Sequence, residues 1–153
     1  MRGAYRKRWI EQPPNVTFFK PGGVPRRMLK TITLAVDEYE AIRLADYKGL
    51  DHLQAAEKMA ISRPTFTRLI DKARQKIAMA IVDGMELVVE GGNIEFRNSR
   101  RRCMDCGEEL IRPVHKEMKD CPQCGSENIE DNAQKFISSE PKMKSSKKGG
   151  ITE

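Results

Sequence analysis

The chain has 153 residues, with 28 Lys and Arg against 22 Asp and Glu and a formal net charge of +6. That length suits one ordinary domain, or a domain plus a small module. No apolar stretch approaches the roughly 20 residues that a membrane span needs. Residues 1–9 lack the apolar core of a signal peptide, so a cytoplasmic protein without a membrane role is expected. With aromatics at 6%, an aromatic-walled substrate pocket is not expected either.

The charge is uneven: residues 1–30 carry +7, residues 31–92 and 93–131 carry −2 each, and residues 132–153 carry +3. A basic arm ahead of a near-neutral body suits a polyanionic partner. Residues 1–27, with Pro13, Pro14, Pro21, Gly22, Gly23 and Pro25, are expected to form that irregular arm. Arg2, Arg6, Lys7 and Arg8 would hold phosphates or enter a minor groove. Residues 16–19 form a β-prone island that packs on the body, and the weak alternation over 28–34 fits a strand.

Residues 36–83 then read as helical, broken near Gly49 and near residues 60–62. A first helix covers residues 37–46, with Asp37 and Glu38 favourably placed at its N-terminus. Asp51 and Gln54 fit a capping box for a second, running to about Met59 with Ala55, Ala56 and Met59 inward. Ala60 and Ile61 make a tight turn. Ser62 caps a third helix, and Pro64 falls in its first turn, where a missing N–H costs nothing. Phe66, Leu69, Ile70, Ala73, Ile77 and Ala80 form one apolar stripe, while Arg63, Thr67, Arg68, Lys72, Arg74 and Lys76 occupy the other faces. Gly84 is the stop signal. Two helices joined by so short a turn describe a helix-turn-helix, and only its second helix is strongly basic. Residues 87–96 read as a β-hairpin around Gly91 and Gly92, completing a domain over residues 28–96. Residues 97–102 read as a basic linker, 103–131 as a cysteine module and 132–153 as a polar, disordered tail.

The stretch from Ala55 to Leu69 resembles the helix-turn-helix of bacterial sigma-factor C-terminal domains and related repressors. More closely, residues 18–25, residues 37–46 and the run Glu90-Gly91-Gly92-Asn93 resemble the domain-of-unknown-function 134 family, small prokaryotic proteins predicted to bind DNA. The resemblance covers about residues 5–95. It implies a mainly α, sigma-like helix-turn-helix fold and DNA binding. Carried over, the buried positions fall on Ala56, Ile61, Phe66 and Leu69, and the groove-facing ones on Ser62, Arg63, Pro64, Thr67, Arg68 and Asp71. Ala60 departs from the pattern, since many such turns have Gly there and a methyl disfavours a left-handed backbone. Pro64 cannot hydrogen-bond a base, so reading leans on Arg63, Thr67 and Arg68; an arginine fork matches the two acceptors of a guanine edge. Lys72 would add a contact farther along the helix.

Cys103, Cys106, Cys121 and Cys124 stand in the pattern C-x2-C-x14-C-x2-C, which uses every cysteine in the chain. Each pair precedes a glycine, which lets the backbone turn so that its N–H groups face the thiolates. The spacing points to one structural Zn²⁺ in a zinc ribbon. Residues 103–131 hold no Phe, Tyr or Trp and cannot build a core unaided. Disulfides do not suit a cytoplasmic chain, an electron-transfer iron site lacks the aromatic shell of rubredoxin, and a catalytic zinc would keep an open position. His115 is expected at the surface.

The expected function is sequence-specific binding of double-stranded DNA by a transcriptional regulator, with a homodimer as the assembly that supplies two half-sites. The zinc ribbon would be structural, or recruit RNA polymerase or another protein. The alternative is an RNA-binding or protein-recruiting adaptor without DNA sequence specificity, but stacking on RNA calls for exposed sheet aromatics, and Phe96 is the only aromatic in the hairpin region. An enzyme is not expected: two histidines, no phosphate-binding loop and no H-E-x-x-H motif leave little chemistry to assign.

Overall fold

The computed structural model describes residues 7–137. In chain order these form strands β1 (Arg8–Ile10), β2 (Phe18–Phe19) and β3 (Thr31–Leu34), then helix α1 (Val36–Ile42), which continues as a π-helical turn over Arg43–Tyr47. Helices α2 (His52–Met59) and α3 (Arg63–Val82) follow. Strands β4 (Glu86–Val89), β5 (Ile94–Phe96), β6 (Asn98–Cys103), β7 (Glu109–Pro113) and β8 (Ile129–Asp131) lead to a last helix, α4 (Asn132–Ile137).

Local chemistry starts the central helices. The Asp51 carboxylate accepts from Gln54 N at 2.8 Å while the Gln54 side chain accepts from Asp51 N at 3.2 Å, closing the capping box at α2. The Ser62 hydroxyl accepts from Thr65 N at 3.3 Å and starts α3, with Pro64 in its first turn. Between them Ala60 takes the left-handed conformation, φ 56° and ψ 42°, the only non-glycine with positive φ among the described residues. The turn therefore has the geometry in which glycine is favoured, despite the methyl group. Phe66, Leu69, Ile70 and Ala73 bury the inner face of α3 against Ala55, Ala56 and Met59 of α2 and Ala41 of α1.

The tertiary arrangement corrects several expectations. The architecture is mixed α/β, with three small sheets, and not mainly helical with a single hairpin. Strands β4 and β5 do not pair with each other. β4 lies between β2, antiparallel, and β3, parallel, whereas β5 pairs parallel with β1. Alternation marks a strand but does not name its partner; here the partners come from residues far away in the chain. The parallel β3–β4 pair is closed by a crossover through α1, α2 and α3.

The segment expected as an irregular arm supplies β1, with Ile10 fully buried in the core, whereas β2 falls within the β-prone island expected at residues 16–19. The residues expected as a linker are most of β6, the central strand of a third sheet between β7 and β8. Its alternation buries Ser99, Arg101 and Cys103 and leaves Arg100 and Arg102 outward. The segment expected as tail begins with α4. Its Ala133 is buried, and the Phe136 ring meets Phe96 edge-on at 5.6 Å, so the third sheet is fastened to the main core. Residues 138–153 of that tail, and Arg2 and Arg6 of the arm, lie outside the described residues. No helix among the described residues is long and apolar enough to cross a membrane.

Candidate nucleic-acid interface and metal centre

Helix α3 sorts its cations by position. Arg74 pairs with Asp46 through two contacts of 2.7 and 3.1 Å. Lys76 donates to Glu38 and to the Thr33 carbonyl, both at 2.8 Å. Arg63, Arg68 and Lys72 are exposed and bind no partner among the described residues. The uncommitted positive charge of α3 thus lies within its first ten residues. Arg63 and Arg68 are exposed on either side of the half-buried Thr67 around the helix, with Ser62 at its start. Asp71 is exposed beside them.

The N-terminal candidates fare differently. Lys7 is exposed. Arg8 is committed: its guanidinium lies 2.5 Å from the Asp37 carboxylate, beside the start of α1. This pair, with the β1–β5 ladder, ties the N-terminal strand to the body and neutralises one charge counted toward a free arm. Arg97 is likewise engaged, its guanidinium stacked 4.6 Å from the Trp9 ring.

One residue entered the sequence analysis only as one of two histidines, without a role. His52, at the first position of α2, places Nδ1 2.8 Å from Thr67 Oγ1. Its ring meets Phe66 edge-on, with centroids 5.4 Å apart. Neither periodicity nor spacing marks it, because the contact bridges α2 and α3 across the turn.

The four cysteines converge. Their Sγ atoms all lie within 4.8 Å of one another, with Cys103–Cys124 at 3.5 Å and Cys106–Cys121 at 3.6 Å. No disulfide joins them. A tetrahedral ion with metal–sulfur bonds of about 2.3 Å sets its sulfurs about 3.8 Å apart, so the cluster fits a bound metal ion. Two matching turns build it. Gly107 N donates to Cys103 O at 3.0 Å, and Gly125 N donates to Cys121 O at 2.8 Å, with the glycines at φ 80° and 76°. A side chain at either position would strain a backbone that glycine adopts freely. Ser126, just past the second turn, donates to Asp105 within the first and links the two.

The thiols respond to these surroundings in opposite directions. The Cys106 N–H, helped by Asp105 N–H and the neighbouring thiols, outweighs burial and lowers Cys103 to about 7. At Cys106 the Glu108 N–H pulls downward, but burial and the Cys121, Cys124 and Cys103 thiols prevail and push it up to about 12. Cys124 is also raised: the Ser126 N–H lowers it, while the Cys103 thiol and burial more than offset this. Four thiolates cannot crowd together uncompensated; a cation would draw off the remaining protons. His115 is exposed and stands outside the cluster.

Residues 1–97 match the model of the family described as "Protein of unknown function DUF134". The chain belongs to the DUF134 family. A UPF0251 protein of Chloroherpeton thalassium is 56% identical over 127 residues, 83% of this chain and 84% of that protein. Another, from Moorella thermoacetica, is 45% identical over 122 residues, 80% and 81% of the two chains. A third, from Thermoanaerobacter pseudethanolicus, is 52% identical over 95 residues, 62% of this chain and 80% of its own. Any 127-residue stretch of a 153-residue chain includes all four cysteine positions, so the first of these likenesses runs through the cysteine cluster as well as the DUF134 segment.

Proposed function

We propose that this DUF134 protein is a sequence-specific double-stranded DNA-binding protein and transcriptional regulator. In this reading α2 and α3 act as a sigma-like helix-turn-helix that places the start of α3 in the major groove. The observation that carries it is the sorting of charge along α3. Arg63, Arg68 and Lys72 stay uncommitted near the capped end, whereas Arg74 and Lys76 are held by carboxylates of the fold. A helix basic merely for solubility would have no reason to leave its unpaired cations at one end. Two of the three are arginines, the side chain that reads guanine with two parallel hydrogen bonds.

The metal centre complements this role as a support. We read it as one structural zinc ion held by Cys103, Cys106, Cys121 and Cys124, in a zinc ribbon carried on β6, β7 and β8. Four cysteine ligands close the coordination sphere and leave no position for substrate. The ion would supply the stability that a module with few large apolar residues cannot generate; the Ser99–Asp131–Arg101 contacts tie β6 to β8 within it, and α4 joins it to the core through Ala133 and Phe136.

The test is selection of bound duplexes from a random pool, followed by titration of Arg68→Ala against selected and scrambled duplexes at fixed salt. Arg68→Ala should cost about 1–3 kcal/mol on the selected site and far less on the scrambled one. Equal losses on both would reduce α3 to a phosphate contact and refute base reading by this helix.

A further inference from the structure

We infer that His52 fixes the hydrogen-bond polarity of Thr67, so that Thr67 reads only amine-bearing base edges, adenine or cytosine, in the major groove. The inference rests on the proposed docking of α3 and deepens it. His52 itself touches no base in this scheme; it is a positioning residue.

A threonine hydroxyl has one proton to donate and two lone pairs that accept. Left free, it rotates to suit whichever base it meets and discriminates little. Here it is not free, because His52 Nδ1 stands 2.8 Å from Thr67 Oγ1. The imidazole is held in turn by its edge-on contact with Phe66, which is fully buried and cannot give way. Its backbone lies beside the closed Asp51–Gln54 capping box. In a neutral imidazole with its proton on Nε2, the more stable form of the free side chain, Nδ1 is an acceptor only. We assign His52 this tautomer, in which Thr67 donates its single proton to Nδ1. What remains on Oγ1 is lone-pair density, and the groove side of Thr67 becomes a pure acceptor.

Base edges divide along the same line. In the major groove adenine N6 and cytosine N4 donate, whereas guanine O6 and N7 and thymine O4 accept. An acceptor-only threonine selects adenine or cytosine over guanine or thymine on the strand it faces. The neighbouring Arg63 and Arg68 carry donors only and read the complementary class. The contact between α2 and α3 thus does more than pack the two helices: it assigns one letter class to one position of the site.

The experiment is selection from a random duplex pool with the wild-type protein and with His52→Phe, His52→Asn and Thr67→Val, each checked by circular dichroism. The wild type should enrich a site with one position at which adenine or cytosine is preferred. His52→Phe keeps a ring against Phe66 and removes the nitrogen. It should select the same site elsewhere while that one preference falls roughly fivefold, the worth of one hydrogen bond. His52→Asn offers an oxygen acceptor near the place of Nδ1 and should restore most of it, and Thr67→Val should abolish it. An unchanged preference in His52→Phe overturns the inference, as does a preference for guanine or thymine at the position that Thr67→Val erases. If His52→Phe does not fold, Thr67→Val and His52→Asn decide the question by the same criteria. A wild-type chain that enriches no sequence refutes the DNA reading itself, an outcome distinct from a selected site indifferent to His52.

Discussion

Lys76 looks like a surface cation in the sequence, yet removing it should injure the fold. Its ammonium bridges Glu38 Oε1 and the Thr33 carbonyl, both at 2.8 Å, and so ties α3 to α1 and to the end of β3. The Glu38 side chain is only 5% exposed, and its other oxygen has no hydrogen-bond partner among the described residues. Lys76→Met keeps the aliphatic stem and strands the carboxylate. Breaking a fully buried pair costs about 3–5 kcal/mol. The Lys76 side chain is 23% exposed, so water can screen part of the loss, and about 2–3 kcal/mol is expected. Replacing both partners, Lys76→Met with Glu38→Leu, leaves no unpaired charge and should recover most of the loss. The assay is urea unfolding followed by far-ultraviolet circular dichroism for wild type, both single variants and the double. The cycle should return a coupling of about 2 kcal/mol. A Lys76→Met loss below about 0.5 kcal/mol, the range of an ordinary surface pair, would refute the reasoning.

Ala60→Gly should stabilise the protein by about 0.5–1 kcal/mol in the same unfolding assay. The left-handed backbone costs an L-residue about 1–2 kcal/mol, only partly offset by the greater freedom of glycine in the unfolded chain. Ala60 is exposed, so little packing is lost; a clear destabilisation would contradict the left-handed conformation at this residue. Elemental analysis should find one zinc per chain in the wild type and none in Cys121→Ser, whose residues 103–131 should loosen while helical signal from α1 to α3 is retained; full metal content in the variant would remove Cys121 from the ligand set. The Glu86 carboxyl is held below the ordinary glutamate range, chiefly by the Thr31 hydroxyl at 2.6 Å and then by Arg26, against the opposing effect of burial. A depressed carboxyl pKa contributes stability above the unfolded value, and this is lost as pH falls through the folded value. Its titration by nuclear magnetic resonance should therefore lie below that of a free glutamate and move upward in Thr31→Val.

Features that depend on neighbours three or four residues apart were legible before the structure. The capping box at Asp51, the cap at Ser62, the apolar stripe from Phe66 to Ala80 and the paired cysteine turns each complete their geometry within a few residues, so residue type and spacing suffice. Even the turn at Ala60 could be located, though its residue argued against the conformation that it adopts. The cysteine cluster was legible for the same reason: each pair is preorganised by its own local turn.

Long-range pairing was not legible. A run of alternating residues has two open edges, and nothing local says which strand will occupy them; β4 and β5 look like one hairpin yet take β2, β3 and β1 as partners. The polar run of β6 reads as a linker because its inward Arg101 and Ser99 need a partner, Asp131, that lies about thirty residues on. Which cations stay free is a tertiary question too, since composition counts Arg63 and Lys76 alike and only the placement of Glu38 separates them. Charge and periodicity named the helix that could read DNA. Packing α2 against it brought His52 Nδ1 within 2.8 Å of Thr67 Oγ1, a contact that no local pattern marks.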